Sequence, residues 1–312
     1  MTAQTETALQ AAAPIVRNGI TIDDTFAEAF GMSATGLVIT ADSAKWARQC
    51  AVTMTGFGTS VIGCGAECGI DRELSPDETP DGRPGFRVLM FGFSPDALTP
   101  QVMNRVGQCV LTSPGSACFA GVEAPMRIGL GATLRRFGDG HQTARRSGGK
   151  RYWRIPEMDG EFVCEHDTGC TTDAVGGGNL LICGRDRPGV LAATELAVEA
   201  IAKVPDVITP FPGGIVRSGS KVGSKYAGMF ASSNEAFGPT LKGAVRSELT
   251  ADIASVLEIV IDGLTAAAVA DGMRAGLAAV IAEGGRHGVT RVSAGNYGGK
   301  LGPHHYHLKD LI

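Results

Sequence analysis

Short apolar runs alternate with stretches of helical periodicity along the first half of this chain. The apolar runs predict four buried strands, at 36–42, 59–64, 86–93 and 116–121. Helical patterns separate them over 43–55, where Ser43 is a candidate N-cap, and within 94–112. The predicted order of elements in this half is therefore β-α-β-β-α-β.

The second half repeats this order. Strands are predicted at 179–184, 206–211, 255–263 and 288–295. Helices are predicted directly after Pro188 and over 265–283, and a long polar insert follows the second strand. Because β-α-β-β-α-β is the ferredoxin-like order, the predicted fold class is α+β, with two ferredoxin-like (βαβ-βαβ) lobes and long inserts.

The segment between the halves alternates around Asp159-Gly160, which predicts a β-hairpin. We expect the first lobe to span 19–150 and the second 151–312. The halves share element order more than residue identity, which is consistent with an ancient duplication. Residues 1–18 lack the basic and apolar regions of a secretory signal, and we expect a flexible or partner-binding extension.

Composition narrows the classes of function. The net charge is −4 and the pI about 5.9, which gives no electrostatic reason to expect nucleic acid. Asp271 and Arg274 interrupt the most apolar later run, so we expect a helix there and no membrane span. The eight cysteines form no C-x-x-C pair, so we expect reduced core residues in a cytoplasmic protein.

Glycine is abundant, with 44 residues gathered in loops. The insert that begins at Phe211 combines glycines and prolines with cations and hydroxyls, which suits an anionic, polar ligand. A solvated surface loop is the alternative. A second glycine-rich segment, 293–302, carries Asn296 and Lys300. The predicted substrate-binding residues are Phe211, Pro212, Gly213, Gly214, Arg217, Ser220, Lys221, Lys225 and Lys300.

One glutamate stands in the apolar strand Ser255–Gly263, SVLEIVIDG. Side chains alternate along a strand, so Glu258 shares a face with Val256 and Val260. Burial disfavours the charged form of a carboxyl and raises its pKa, which makes Glu258 a candidate general acid/base. A glutamate on an edge or solvent face, or one paired with Arg217, remains the alternative.

Other motifs argue against common cofactors. The GGGN at 176–179 precedes a strand, whereas a dinucleotide fingerprint follows one, and no phosphate-binding P-loop is present. His304, His305 and His307 cluster near the end of the chain without an obvious carboxylate or cysteine complement. A metal site there is the alternative, but surface or interface residues are the commoner case, and we expect no metal.

Eight ordered segments together resemble formylmethanofuran–tetrahydromethanopterin formyltransferases. These segments are 23–30, 55–71, 78–85, 105–112, 137–140, 211–225, 258–264 and 293–302. The resemblance implies two ferredoxin-like lobes, dimers or tetramers, no metal, and methanofuran and tetrahydromethanopterin as substrates. It also aligns Glu258 with the glutamate implicated in catalysis.

The mild acidity and the extension 1–18 look more like the bacterial methylotroph version of this family. That version resembles one subunit of a larger formyltransferase/hydrolase complex. Formyl transfer through a tetrahedral intermediate then implies Glu258 as proton shuttle, and Asn296 or backbone N–H groups as donors to the oxyanion. The alternative is a non-catalytic ligand-binding or scaffold subunit of such a complex.

Overall fold

A computed structural model describes residues 14–312, and they form an α+β protein of seventeen strands and six α-helices. The strands are β1 Ile15–Arg17, β2 Ile20–Ile22, β3 Phe26–Thr40, β4 Glu67–Leu74, β5 Gly85–Gly92, β6 Ala117–Ala120, β7 Met126–Gly129, β8 Thr143–Ser147, β9 Lys150–Glu157, β10 Gly160–Glu165, β11 Asp167–Gly184, β12 Val207–Ile208, β13 Lys221–Val222, β14 Ala231–Ser232, β15 Ser255–Gly263, β16 Val289–Ser293 and β17 His304–His307. The helices are α1 Ala44–Thr55, α2 Val61–Cys64, α3 Pro95–Arg105, α4 Gly131–Leu134, α5 Arg187–Ile201 and α6 Ala266–Glu283.

In the first half, β4, β5, β3 and β6 lie side by side in that order, each antiparallel to its neighbour. Helices α1 and α3 pack on the sheet because their apolar stripes bury Met54, Leu98 and Val102 against strand residues such as Ile39 and Met90. The N-cap predicted at Ser43 is confirmed, since its side chain accepts a hydrogen bond from the Trp46 backbone N–H.

In the second half, the order is β12, β15, β11 and β16, again antiparallel throughout. Helices α5 and α6 cover one face of these strands. Leu257, Ile259 and Ile261 of β15 join that core, together with Leu180 and Leu277. Side chains alternate along β15, so Glu258 points to the opposite face.

Two long strands join the halves. Strands β3 and β11 are 15 and 18 residues long. One part of each strand pairs within its own half, and the two strands pair with each other from Cys170–Thr35 to Gly176–Phe30. Fifteen of the described strands thereby belong to one continuous mixed sheet.

The N-terminal strands differ from the prediction for 1–18. Residues 1–13 of that extension lie outside the described residues. Strand β1 then forms a hairpin with β2 around Asn18-Gly19, both with positive φ. Asn-Gly is a strong signal for such a two-residue turn, so residues 15–17 are ordered strand and not flexible chain. Strand β2 pairs in parallel with β16 and so belongs to the second-half sheet.

Two other predictions were wrong in detail. The run 59–64 was predicted as a strand, but 61–64 form one helical turn that ends at Gly65 with φ +76°, and the strand follows at β4. The strand predicted at 206–211 is only two residues long, because Pro210 and Pro212 cannot donate ladder hydrogen bonds. The hairpin at Asp159-Gly160 is confirmed as β9 and β10.

Candidate functional site

Glu258 is held in place by backbone hydrogen bonds on both sides. Strand β11 pairs with β15 on one side, with Leu181 opposite Glu258. On the other side, the Val216 N–H donates to the Glu258 carbonyl over 2.7 Å, and the Glu258 N–H donates back over 2.9 Å. The position of the Glu258 main chain is therefore fixed at the middle of the strand.

A glycine turn brings Val216 to that position. Gly213 and Gly214 adopt left-handed φ values of +61° and +78° directly after Pro212. A Cβ on Gly214 would approach side-chain atoms of Thr209 and Val198 to 2.7 Å. Glycine alone tolerates both the conformation and the close packing, and the turn directs the following residues, Arg217 to Ser220, along the edge of β15.

The Glu258 side chain lines a cavity of about 240 Å³, whose wall also includes Arg217, Ser220 and Tyr297. Only 8% of Glu258 is exposed. Burial raises the pKa of its carboxyl to about 7. No ion pair joins Glu258 to Arg217 or to another cation within residues 14–312, so this carboxyl takes up a proton near neutral pH.

Tyr297 is carried on a loop that a second buried glutamate organises. The Glu28 carboxylate, fully buried in β3, accepts backbone N–H groups from Tyr297, Gly299, Leu301 and Gly302. Burial opposes ionisation of Glu28, but the four donors outweigh it and lower the pKa of this carboxyl. The side chain of Tyr297 in turn interacts with Ser220, and burial together with the nearby Glu258 raises the pKa of its phenol.

Two further cavities share walls with the first. One of about 530 Å³ includes Ser220, Tyr297 and Asn296. Another, of about 550 Å³, includes Arg217 and Arg187. Each shares wall residues with the Glu258 cavity, and the three together are large enough for extended ligands.

The structure brings some predicted site residues together and separates others. Glu258, Arg217 and Ser220 line one cavity. Asn296 lines only the second, where its side chain bonds Thr25 and the Gly298 N–H. The remaining predicted residues lie outside the wall of the Glu258 cavity, and they are Phe211, Pro212, Gly213, Gly214, Lys221, Lys225 and Lys300.

The predicted cations differ in their availability. Lys221 lines the second cavity and forms an ion pair with Glu235. Lys225 and Lys300 are exposed. Arg217 is exposed, lines the Glu258 cavity and forms no ion pair among the described side chains. Arg217 is therefore the cation best situated for an anionic ligand.

Sequence reasoning missed three residues of this site. Glu28 lies in the apolar stretch FAEAF, which is the same signal that identified Glu258. Tyr297 lies in the glycine-rich segment 293–302, where the sequence pointed only to Asn296 and Lys300. Arg187 begins α5 and gives no local signal, since its role depends on the folded position of the helix.

The alternative of a histidine metal site finds no support. His305 and His307 stack on Phe26, with ring centroids 4.6 and 5.0 Å away, and β17 pairs with β3. Within residues 14–312 no group of three His, Cys, Asp or Glu side chains is arranged to hold a metal ion.

All eight cysteines, which lie in the described part of the chain, are free thiols. No helix of that part is both long and apolar enough to span a bilayer.

A buried carboxyl with a raised pKa on a cavity wall defines a class of site used for proton transfer. The sequence matches the family model of formylmethanofuran-tetrahydromethanopterin formyltransferase over residues 15–157 and that of its proximal lobe over 160–311. The chain belongs to this family.

Relatives match along nearly their full lengths. One subunit of the formyltransferase/hydrolase complex of Methylorubrum extorquens is 59% identical over 300 residues, covering 95% of this chain and 96% of that protein. The formylmethanofuran–tetrahydromethanopterin formyltransferase of Methylococcus capsulatus is 57% identical, covering 96% and 100%.

Solved structures agree with these matches. The formyltransferase/hydrolase complex of Methylorubrum extorquens, crystallised with methylofuran, contains a chain that superposes with a TM-score of 0.94 at 58% identity, covering 96% of this chain and 99% of that one. The Methanosarcina barkeri formylmethanofuran:tetrahydromethanopterin formyltransferase gives 0.91 at 43% identity, covering 96% and 100%.

Proposed function

We propose that this protein is an N-formyltransferase that moves a formyl group between tetrahydromethanopterin and a methanofuran-type carrier. The observation that carries the proposal is Glu258, a buried carboxyl with a pKa of about 7 in a cavity beside glycine-rich loops. The activities for which the full-length relatives are named support it. Both carriers act as substrates and neither is a resident cofactor.

Glu258 supplies the proton transfer that this chemistry needs. Attack by the acceptor nitrogen forms a new C–N bond to the formyl carbon and gives a tetrahedral intermediate. The ionised Glu258 takes the proton from the attacking nitrogen and returns it to the leaving nitrogen as the old C–N bond breaks. A carboxyl with a pKa near neutrality is suited to both steps, since neither form is strongly favoured.

The developing oxyanion needs hydrogen-bond donors. The Tyr297 hydroxyl and the backbone N–H groups of residues 217–220 belong to residues that line the cavity holding Glu258. Asn296, which lines the neighbouring cavity, remains a proposed donor to substrate atoms there. Much of the rate then comes from holding two large substrates in contact.

Cationic side chains bind the anionic parts of the substrates in this proposal. Arg217 stands between the Glu258 cavity and the apolar cavity that also includes Arg187. Arginine suits carboxylate and phosphate groups because its planar guanidinium donates two parallel hydrogen bonds. Lys225 and Lys300 are proposed as exposed contacts to the substrates. Lys221, which is paired with Glu235, is proposed as a further contact. The turn Phe211–Gly214 shapes the loop that carries Arg217.

We also propose that the two halves are ferredoxin-like lobes. The strand orders in the sheet, β4-β5-β3-β6 and β12-β15-β11-β16, support this. Numbered along the chain within each half, the third strand lies between the first and the second, as in a ferredoxin-like sheet. The proposed division at residue 150 leaves the hairpin β9–β10 in the second lobe by sequence, although β10 pairs with β6. That pairing favours a boundary slightly nearer the C-terminus.

The partners follow from the relatives. A relative that is one component of a formyltransferase/hydrolase complex supports assembly of this chain with other subunits. A homodimer or homotetramer is a further part of the proposal. Free thiols support a cytoplasmic location. The extension 1–18 is a proposed contact within such an assembly.

The competing proposal is a non-catalytic scaffold subunit. Purified chain alone, mixed with formyl-tetrahydromethanopterin and a methanofuran-type carrier, separates the two. We expect formylated carrier to form at a rate proportional to the protein concentration. No transfer by the folded chain, followed by full transfer when other subunits are added without it, would favour the scaffold.

A further inference from the structure

Two buried carboxyl groups meet where the halves of the molecule join. Glu67 begins β4 of the first half, and Asp262 lies near the end of β15 of the second. Asp262 is fully buried and Glu67 is 9% exposed. A side-chain hydrogen bond between them contributes to the shift in pKa of each carboxyl. A contact between two carboxyl groups needs a hydrogen that neither has when both are ionised.

Among residues 14–312, two backbone N–H groups are the other donors to this pair. The Gly177 N–H donates to Asp262 Oδ1 over 3.0 Å, and the Val61 N–H donates to Glu67 Oε1 over 2.9 Å. The second oxygen of Asp262 is buried and receives no hydrogen bond from any residue of the range 14–312. A hydrogen held between the two side chains would supply the donor that this oxygen lacks.

Nearby charges do not replace that proton. Cys68 lies next to Glu67, and burial raises the pKa of its thiol to about 12, so it is neutral. Arg105, the cation that acts on Cys68, donates instead to the carbonyls of Met54, Gly56 and Phe57. Burial raises the pKa of both Glu67 and Asp262, as expected for two carboxyl groups that cannot both ionise.

Asp262 of the pair lies on the strand and the face that carry Glu258. Asp262 follows Glu258 by four residues, so both side chains point to one face about 13 Å apart. Glu67 connects that face to the first half, and its bond to Val61 fixes the segment that packs with Ile208 and Leu264 across the junction.

We propose that Glu67 and Asp262 share one proton that joins the two halves and positions β15, and with it Glu258, and that loss of this proton at alkaline pH loosens the junction. Both are positioning residues and touch no substrate. The inference rests on the proposed formyl transfer only for its activity measurement.

Amide substitutions test the shared proton directly. In Asp262→Asn, the amide oxygen accepts from Gly177 while its nitrogen donates to Glu67. In Glu67→Gln, the oxygen accepts from Val61 while the nitrogen donates to the free Asp262 oxygen. Each variant carries a bridging hydrogen that cannot dissociate. Glu73→Gln, an exposed change on the same strand, is the matched control.

Thermal unfolding midpoints should be measured from about pH 6 to about pH 10. A proton bound only in the folded state stabilises it at low pH, so wild-type stability falls as pH rises through the raised pKa of the pair. We expect the midpoint advantage of both amide variants over wild type to grow with pH, while Glu73→Gln follows wild type. Parallel curves for wild type and both amide variants would overturn the proposal.

A second measurement identifies the proton without activity. In a Glu258→Gln background, infrared spectra at neutral pH should contain a protonated-carboxyl C=O band that either amide substitution removes. Persistence of that band in both variants, or its absence before substitution, would refute sharing. The proposal also predicts that wild-type kcat/KM falls at alkaline pH, when the shared proton is lost. With kcat/KM normalised to each protein's own maximum, this fall should be absent in both amide variants. An unchanged fall in the variants would remove the link to Glu258.

Discussion

The Glu258 carboxyl lies in surroundings that favour its neutral form. Its strand neighbours are apolar, it has no cationic partner in the described structure, and its backbone is held by β11 and by Val216. Ionisation of this group therefore lowers the free energy of unfolding. The same cost of burying a charge brings its pKa close to the pH at which it must exchange protons.

Replacing Glu258 should therefore stabilise the protein at alkaline pH. The pKa is raised from an unfolded value near 4.3 to about 7, so wild type loses stability as pH rises between these values. We expect Glu258→Gln to exceed wild type by about 1–3 kcal/mol at pH 8 and to lose this advantage near pH 4. Urea unfolding at both pH values measures it, with the exposed Glu195→Gln as control. A variant less stable than wild type at pH 8 would contradict the burial argument.

The sequence signal at this scale was informative but incomplete. A glutamate in an apolar strand predicted burial correctly for Glu258, and the same signal was present at Glu28. Glu28 and Glu258 differ in the hydrogen-bond donors that their carboxyl groups meet. Glu28 meets four backbone N–H groups from a loop 269 to 274 residues later in the chain, and such contacts leave no local pattern.

At the scale of elements, the loop 294–302 depends on Glu28 for its shape. Removing this carboxylate leaves four buried or part-buried N–H donors without their acceptor, and a fully buried unpaired donor costs about 1–3 kcal/mol. We expect Glu28→Ala to destabilise the protein by about 3 kcal/mol or more and to speed amide exchange at Tyr297 and Leu301. Asp24→Ala, which removes a half-exposed ion pair with Lys309, should cost less than about 1 kcal/mol.

The pH dependence of Glu28 has the opposite sign to that of Glu258. Its pKa is lowered in the folded state, so its contribution is present above the unfolded pKa and is lost as pH falls through the folded pKa. Wild type should therefore lose stability below about pH 4 more steeply than Glu28→Ala. Equal acid sensitivity of the two proteins would show that the four hydrogen bonds contribute little.

Most regular elements were predictable, and the exceptions have physical causes. Helices α1, α5 and α6 follow from caps and apolar stripes. Strand β4 was missed because its sequence, ECGIDREL, looks too charged for a buried strand. Its buried Glu67 and Asp71 are matched by Asp262, Arg87 and Asp206 from other strands and loops, which local periodicity does not reveal.

At the scale of the whole molecule, an ion network holds the halves together. Arg87 of β5 donates to Asp71 over 2.9 Å and also to Asp206, whose backbone N–H donates to Asp71. The Asp71 side chain is fully buried, and burial raises its pKa while Arg87 opposes that rise.

Breaking this network should be costly. Arg87→Met leaves the Asp71 charge buried and unpaired, so we expect a loss of about 3–5 kcal/mol in the free energy of unfolding. Adding Asp71→Leu should recover part of that loss, because an apolar pair replaces the stranded charge. Arg72→Met, at a half-exposed neighbour, should change stability by less than about 1 kcal/mol. Equal effects of Arg87→Met and Arg72→Met in urea unfolding would refute this role.

The joining of the halves was the least predictable feature. Element order indicated two similar units, but the pairing of β3 with β11 and of β2 with β16 depends on contacts between distant segments. Register between such strands is set by buried faces and not by local turns. The loop that brings Tyr297 to the Glu258 cavity likewise depends on a distant residue, Glu28 of β3.

The most direct test of the central claim is kcat/KM for formyl transfer as a function of pH, for wild type and Glu258→Gln. We expect the wild-type value to rise with pH through an apparent pKa of about 7, as ionised Glu258 becomes available to accept the proton. The folded variant should be at least ~100-fold slower and lack that titration. A folded variant with wild-type turnover and the same pH profile would contradict the account.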